Sequence, residues 1–164
     1  MTIRILALIL GLLGTGVQAS AEKGNVHLNV YKSASCGCCK GWMAHLGNFQ
    51  RGKTSQNAWR IEGKDTNTLG DIKASHNVPV ELRSCHTAVT HSGFVFEGHI
   101  PARYIESFLD NPPDDAFGLA VPGMPIGSPG MESGLRFQPY TIQLLLKDGS
   151  TRPFATVSTF EEQY

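Results

Sequence analysis

Cysteine spacing constrains this chain more than any other feature of its sequence. Three of the four cysteines fall within four residues, Cys36-Gly37-Cys38-Cys39, and the fourth is Cys85. The cluster can be grouped as a Cys-x-x-Cys pair with an extra thiol at Cys38, or as a Cys-x-Cys pair followed by a vicinal thiol. Either grouping places three sulfur atoms on one turn of backbone, and Gly37 removes a side chain between them.

The N-terminal segment is typical of a secretory signal. A positive charge at Arg4 precedes an apolar run, residues 5–13, which is too short to span a bilayer comfortably. Small residues follow, and cleavage after either Ala19 or Ala21 satisfies the small-x-small rule. We predict that residues 1–21 are a signal peptide and that residues 22–164 form one exported domain. An uncleaved N-terminal anchor is the alternative.

Charge and hydrophobic content exclude several classes of partner. Fourteen Lys and Arg residues balance fourteen Asp and Glu residues, so no net field attracts nucleic acid or an anionic membrane surface. The 41% hydrophobic content argues against global disorder. No segment after the signal is long and apolar enough for a transmembrane helix. We therefore expect no nucleic-acid partner, and no membrane association after signal cleavage.

The pattern of apolar residues predicts an α/β fold. Strands alternate polar and apolar residues, and helices carry an apolar stripe at three- and four-residue spacing. The predicted elements are a strand at 26–32, a helix at 39–49, a strand at 58–62, a helix that follows a cap at 65–67 and runs through residue 74, a hairpin of 86–90 with 93–97, and a helix at 101–109. This βαβαββα succession, with a Cys-x-x-Cys motif at the start of the first helix, predicts a thioredoxin-like fold. In such folds the loop before the third strand, which here contains Cys85, lies against the redox motif.

The C-terminal third of the chain differs in composition. Residues 114–139 are rich in Gly and Pro and contain Met124 and Met131, so we expect a long loop with neither helix nor strand. Loops of this length within a compact domain are usually functional or disordered. Residues 141–147 and 151–157 flank an Asp-Gly turn, which predicts an extra C-terminal β-hairpin.

The clustered thiols favour a metal site over structural disulfides. Export places them in an oxidising compartment, but a domain of this size does not need disulfides, and adjacent cysteines pair awkwardly. A helix N-terminus lowers the pKa of nearby thiols, and thiolates bind soft metals. Structural zinc usually takes two well-separated Cys-x-x-Cys pairs, whereas Cu(I) accepts closely spaced thiolates and also thioethers. We therefore predict copper, with zinc less favoured.

Four blocks of the sequence resemble a known family. They are Tyr31–Cys39, Ser84–Val89, Glu97–Pro101 and Gly118–Glu132. These blocks look like the domain-of-unknown-function 411 (DUF411) family, whose better-known members are periplasmic CopG-type copper-resistance proteins. The resemblance implies a periplasmic, thioredoxin-like protein that holds one or several Cu(I) ions. The implied ligands are Cys36, Cys38, Cys39 and Cys85, and the candidate auxiliary ligands are Met124, which we place first, His86, His99 and Met131.

Three functions remain open at this point. The first is a copper-binding protein that sequesters copper or takes part in its Cu(I)/Cu(II) redox change, and so contributes to copper resistance. Its partners would be other periplasmic copper-handling proteins. The second is a thiol–disulfide oxidoreductase using Cys36 and Cys39; Cys38, Cys85 and the missing proline before the third strand count against it. The third is a domain with structural disulfides and a binding role for the Gly/Pro-rich loop. A metal store and a metal oxidoreductase need the same ligands, so the sequence leaves enzymatic activity open.

Overall fold

A computed structural model describes residues 26–50 and 58–164; the predicted signal peptide lies outside these residues. Seven strands and three α-helices are found in the described part of the chain. In chain order they are β1 (His27–Lys32), α1 (Gly37–Phe49), β2 (Arg60–Asp65), α2 (Leu69–Ser75), β3 (His86–Thr90), β4 (Val95–Glu97), α3 (Ala102–Asp110), β5 (Ala116–Ala120), β6 (Tyr140–Leu146) and β7 (Thr151–Val157). Short 3-10 helices occur at Val80–Leu82 and Glu161–Gln163.

The strands form one mixed sheet in the order β2-β1-β3-β4-β5-β6-β7. The pairs β1–β2 and β4–β5 are parallel, and the other neighbours are antiparallel. The α/β class predicted from the sequence is therefore confirmed. The predicted order of elements is found from β1 to α3, and the C-terminal hairpin is present as β6 and β7. The seven-stranded sheet is larger than the sheet of a thioredoxin-like fold. The thioredoxin-like fold therefore stays a prediction.

One element of the fold contradicts the sequence prediction. Residues 114–139 were expected to contain no strand, but Ala116–Ala120 form β5, which lies between β4 and β6. Glycine weakens the interior of a strand in general, so Gly118 made residues 116–120 look unlike a strand in the sequence. Here glycine is required, because a Cβ atom at Gly118 would lie 1.9 Å from the carbonyl oxygen of Val95 on β4.

Two apolar clusters cover the two faces of the sheet. Phe96 belongs to the larger cluster, together with Trp42 and Leu46 of α1 and Ile105 and Phe108 of α3. The neighbouring residue on β4, Val95, belongs to the smaller cluster. Because successive side chains of a strand point to opposite faces, the two clusters lie on opposite sides of the sheet. Among the described residues, no helix is long and apolar enough to cross a membrane.

The sheet brings the two cysteine-bearing segments together. The cysteine motif lies between the end of β1 and the first turn of α1, and Cys85 immediately precedes β3. Because β1 and β3 are antiparallel, with Lys32 opposite His86, the end of β1 meets the start of β3. Residues separated by 47 positions, such as Cys38 and Cys85, thus become neighbours.

Candidate metal centre

The cysteine motif forms the N-terminus of α1, as the sequence predicts. Cys36 is the N-cap residue, and its Sγ accepts a hydrogen bond from the backbone N–H of Cys39 at 3.3 Å. A serine, threonine or aspartate oxygen usually makes this contact. The backbone N–H of Cys36 in turn donates to the carbonyl oxygen of Ser33, which fixes the approach of the chain to the helix. The helix begins at Gly37, two positions before the predicted start.

All four cysteine sulfurs converge. Cys38 Sγ lies 3.5 Å from Cys36 Sγ and 3.6 Å from Cys85 Sγ, and Cys39 Sγ lies 3.5 Å from Cys85 Sγ. The four Sγ atoms all lie within 4.8 Å of one another. Sulfurs that share one ion at about 2.3 Å lie at most about 4.6 Å apart. The three separations of 3.5, 3.6 and 3.5 Å are below this limit and suit a shared soft metal ion. Cys39 is buried and the other three are half-buried, which leaves a route from solvent.

The oxidation state of the motif limits which sulfurs can act as ligands. Cys36 and Cys39 are joined by a disulfide, whereas Cys38 and Cys85 are free thiols. Metal binding by cysteine requires the thiolate, which a disulfide sulfur cannot provide. The predicted four-cysteine ligand set therefore requires reduction of this disulfide. The structure shows the four sulfurs close together but only two of them as thiols.

Two buried histidines extend the sulfur cluster on the side of Cys85. His99 Nε2 lies 3.0 Å from Cys85 Sγ, and His86 Nδ1 lies 3.4 Å from the same sulfur. His99 Nδ1 lies 2.8 Å from the carbonyl oxygen of Pro129, which can only accept, so Nδ1 carries the proton and donates. The lone pair of neutral His99 is then on Nε2, which faces Cys85. This arrangement is typical of a histidine prepared to bind metal.

Burial governs the protonation of this side of the cluster. It lowers the pKa of His86 well below its usual value, with help from the neighbouring His99 and Lys73, and it lowers the pKa of His99. Both imidazoles are therefore neutral near pH 7, which is the ligand form. Burial also raises the pKa of Cys85 to about 12, and Cys38 adds to the effect. Cys85 lies outside the helix N-terminus for which the sequence predicts a lowered thiol pKa, and a metal ion that binds it has to displace its proton.

The two loop methionines differ from the histidines in their surroundings. Met124 is 52% exposed, in the segment that follows β5. Met131 is half-buried, and its backbone bonds to Ser128 and Gly127 hold a tight turn. The structure thus brings Cys36, Cys38, Cys39, Cys85, His86 and His99 together, and it leaves half of the Met124 surface in solvent.

The Gly/Pro-rich segment packs directly on the cysteine turn. Gly130 has a φ of +84°, and a Cβ atom there would lie 2.4 Å from the carbonyl oxygen of Cys38 and 2.5 Å from the backbone nitrogen of Trp42. Pro129 accepts from His99, and Gly123 accepts a hydrogen bond from Ser84 Oγ. The segment therefore contacts both the cysteine motif and the chain beside Cys85. Its length and its glycine and proline content indicated a loop that is functional or disordered, and the sequence did not show that it packs on the cysteine turn.

Two further groups at the site were missed by the sequence analysis. Trp42 of α1 donates its Nε1–H to the carbonyl oxygen of Ile100 at 2.8 Å, and the centre of its ring lies 4.3 Å from that of His86. A buried ion pair joins Lys73 of α2 to Glu97 of β4. The apolar neighbours of Glu97 were the one available signal, since a charged residue in a buried strand is unusual.

Comparisons with known proteins agree with this geometry. The model of the family described as "Protein of unknown function, DUF411" matches residues 82–131, which include Cys85, both histidines and both loop methionines. No curated protein matches the chain. Two solved structures do, copper resistance protein CopG in form 2 and in form 1, each with 34% sequence identity. They cover 82% and 81% of this chain and 99% and 98% of their own, with TM-scores of 0.72 and 0.70. The chain therefore belongs to the DUF411 family, together with these copper resistance proteins.

Proposed function

We propose that this protein is exported to the periplasm and binds Cu(I) through Cys36, Cys38, Cys39 and Cys85, and thereby contributes to copper resistance. The observation that carries the proposal is the convergence of four cysteine sulfurs within 4.8 Å of one another. Thiolates select soft ions, and Cu(I) is the one that best accepts several closely spaced thiolates. The two matched structures are copper resistance proteins, which supports copper over zinc.

Cys85 has the central position in this proposal. Its sulfur contacts Cys38 and Cys39 on one side and His86 and His99 on the other. Cys85 would therefore act together with the thiolates of Cys38 and Cys39 on one side and with the imidazoles of His86 and His99 on the other, and both ligand types bind copper. Among the auxiliary candidates we now place His99 first and His86 second, ahead of Met131 and Met124, because a ring nitrogen of each histidine lies within 3.4 Å of the Cys85 sulfur.

The disulfide makes copper binding dependent on redox state. With Cys36 and Cys39 oxidised, only Cys38 and Cys85 remain as thiols. Reduction returns two thiols to the cluster. We therefore propose that the reduced protein binds Cu(I) more tightly than the oxidised protein, whether its role is sequestration or redox handling in exchange with other periplasmic copper proteins.

A Cu(I) competition assay tests the proposal. Protein reduced under anaerobic conditions is titrated against the Cu(I) complex of bathocuproine disulfonate, and Cu(I) transfer is followed by loss of the chelator colour. We expect the reduced protein to remove Cu(I), the oxidised protein to remove less, and Cys85→Ser to weaken transfer by at least tenfold. Met43→Leu, which removes a sulfur from α1 outside the cluster, is the matched control and should behave as wild type. Full retention of Cu(I) by the chelator would refute the proposal.

A thiol–disulfide oxidoreductase is the second candidate function. The Cys36–Cys39 disulfide at the N-terminus of α1 favours it. Against it, Cys38 lies 3.5 Å from Cys36 and Cys85 lies 3.5 Å from Cys39, so an internal thiol competes with any substrate for each disulfide sulfur. Insulin reduction by the metal-free protein decides between the two: turnover supports the oxidoreductase, and its absence together with Cu(I) transfer supports copper binding.

A further inference from the structure

The carboxylate of Glu97 is fully buried beside the metal centre and bonds to three different groups. Its Oε1 accepts from Lys73 Nζ at 2.5 Å and from the backbone N–H of Ser84 at 2.5 Å. Its Oε2 accepts from Thr87 Oγ1 at 2.7 Å, and Lys73 Nζ also donates to Thr87 Oγ1 at 3.0 Å. Both charged side chains are almost inaccessible, at 0% exposure for Glu97 and 5% for Lys73.

These bonds bracket the residues that complete the metal centre. Ser84 and Thr87 are the immediate neighbours of the pair Cys85-His86, one on each side. Thr87 is paired with Glu97 in the β3–β4 ladder, but Ser84 lies before β3 begins. The Glu97 side chain thus accepts a hydrogen bond from the backbone N–H of Ser84, which lies outside the β3–β4 pairing. Ser84 is held a second time through its hydroxyl, which donates to the carbonyl oxygen of Gly123.

A buried ion pair is a poor way to stabilise a protein core. Two charges lose their hydration on burial, and apolar side chains of similar volume usually serve stability as well or better. Buried pairs of this kind are better explained where they impose one specific arrangement on their neighbours. Here that arrangement is the position of the chain from Ser84 to Thr87, from which the Cys85 sulfur reaches Cys38 and Cys39.

We infer that Glu97, paired with Lys73, is a positioning residue that holds the Cys85 thiol against the cysteines of α1. The inference rests on the proposed function only where copper is concerned, because the contacts it explains exist without metal. The hydrogen bonds of the Glu97 carboxylate go to Lys73, Ser84 and Thr87, so Glu97 acts on the Cys85 sulfur through Ser84 and Thr87. Loss of the carboxylate would leave the sulfurs of α1 in place and release Cys85 from them.

A copper-free measurement tests the positioning directly. In a Cys36→Ser/Cys39→Ser background the remaining thiols are Cys38 and Cys85, and their disulfide is brought to equilibrium with reduced and oxidised glutathione. The equilibrium constant reports the effective concentration of one thiol at the other. Adding Lys73→Met with Glu97→Leu removes both buried charges and also the acceptor oxygens that hold Ser84 and Thr87, and we expect the constant to fall at least tenfold. Asp65→Asn, which removes the carboxylate partner of another buried lysine, Lys32, is the control and should change it less than twofold.

A second variant keeps the test decisive if the charge-free variant fails to fold. Glu97→Asp retains the charge but shortens the side chain by one methylene, so that it cannot reach Ser84 and Lys73 together, and it should also lower the equilibrium constant. A folded variant of either kind, shown by circular dichroism, with an unchanged constant would overturn the inference. This outcome is independent of whether the protein binds copper.

Cu(I) affinity provides the functional readout through a double-mutant cycle. In the protein with all four cysteines, Lys73→Met/Glu97→Leu should weaken Cu(I) binding at least tenfold. In a Cys85→Ser background the same change should have no further effect, because the residue that Glu97 positions is gone. An equal loss in both backgrounds would show a general structural role and refute the positioning role. A wild-type protein that binds no Cu(I) refutes the proposed function instead, and leaves the glutathione result standing.

Discussion

Replacement of Gly130 by alanine tests how the Gly/Pro-rich segment is held over the cysteine turn. The residue has a φ of +84°, which L-residues with a side chain rarely adopt, and its Cβ would meet two backbone atoms, Cys38 O at 2.4 Å and Trp42 N at 2.5 Å. Neither atom belongs to a flexible side chain. The segment therefore has to lift from α1, and with it the carbonyl of Pro129 that holds His99.

The magnitude follows from two separable costs. Alanine in a left-handed backbone conformation costs about 1–2 kcal/mol. Overpacking against well-fixed neighbours costs a further 1–3 kcal/mol or so. We therefore expect Gly130→Ala to lower the free energy of unfolding by about 2–5 kcal/mol. Gly149 has a nearly identical φ of +86°, with nothing within 4 Å of the added Cβ, so Gly149→Ala should show the conformational cost alone.

Urea denaturation of the oxidised, copper-free protein measures both variants. At an m value of about 2 kcal/mol/M, Gly130→Ala should shift the midpoint by about 1–2.5 M, and Gly149→Ala by no more than about 1 M. Gly130→Ala should also weaken Cu(I) transfer to the reduced protein, whereas Gly149→Ala should not. Equal shifts for the two variants would refute the reasoning, because they would show that the close approach of Gly130 to α1 has no energetic weight.

Three further predictions concern buried polar groups. Burial lowers the pKa of His45 to about 4. Because His45 of the unfolded chain binds a proton near pH 6.5, the free energy of unfolding should fall by at most about 3 kcal/mol as the pH drops from 6.5 to 4. His45→Gln should remove this part of the pH dependence. Trp42→Phe should cost about 1–3 kcal/mol for the unpaired buried carbonyl of Ile100, plus a cavity cost, and the loss should exceed that of Trp59→Phe in the same urea assay. Glu97→Gln alone should lower the free energy of unfolding by about 3–5 kcal/mol, because it leaves the charge of Lys73 buried and unpaired. Lys73→Met/Glu97→Gln should lower it by less, because no buried charge remains. A loss in the double variant equal to the sum of the two single losses would contradict this.

Local patterns in the sequence predicted most of the element order. Apolar periodicity identified α1 and α3, and alternation identified β1, the β3–β4 hairpin and the β6–β7 hairpin. The exception was β5. Its central residue is Gly118, where the backbone of β4 lies too close to leave room for a side chain. Such an approach depends on a strand more than 20 positions away, so no local pattern could reveal it.

The sequence also identified the types of ligand at the site, although it did not show how they are arranged. Donor types and spacing are local properties, so Cys36, Cys38 and Cys39 could be assigned to one turn at a helix N-terminus. The expected thioredoxin-like arrangement placed Cys85 against this turn, and the family resemblance added His86 and His99. The resemblance gave no order among the auxiliary residues. Met124 was placed first because it lies in a loop, but its side chain is half exposed, whereas both histidines contact Cys85.

By itself, the sequence determined which soft ligands the chain carries, that three of them share one helical turn, and that the chain is an α/β protein of the DUF411 family. Only the tertiary structure decided how those ligands meet. The antiparallel pairing of β1 with β3 brings Cys85 to the motif, Gly130 seats the loop on α1, and the pair Lys73–Glu97 brackets Cys85. The physical reason is that contact distances, burial and the resulting pKa of a group depend on residues remote in sequence, whereas ligand type and helical phase are local.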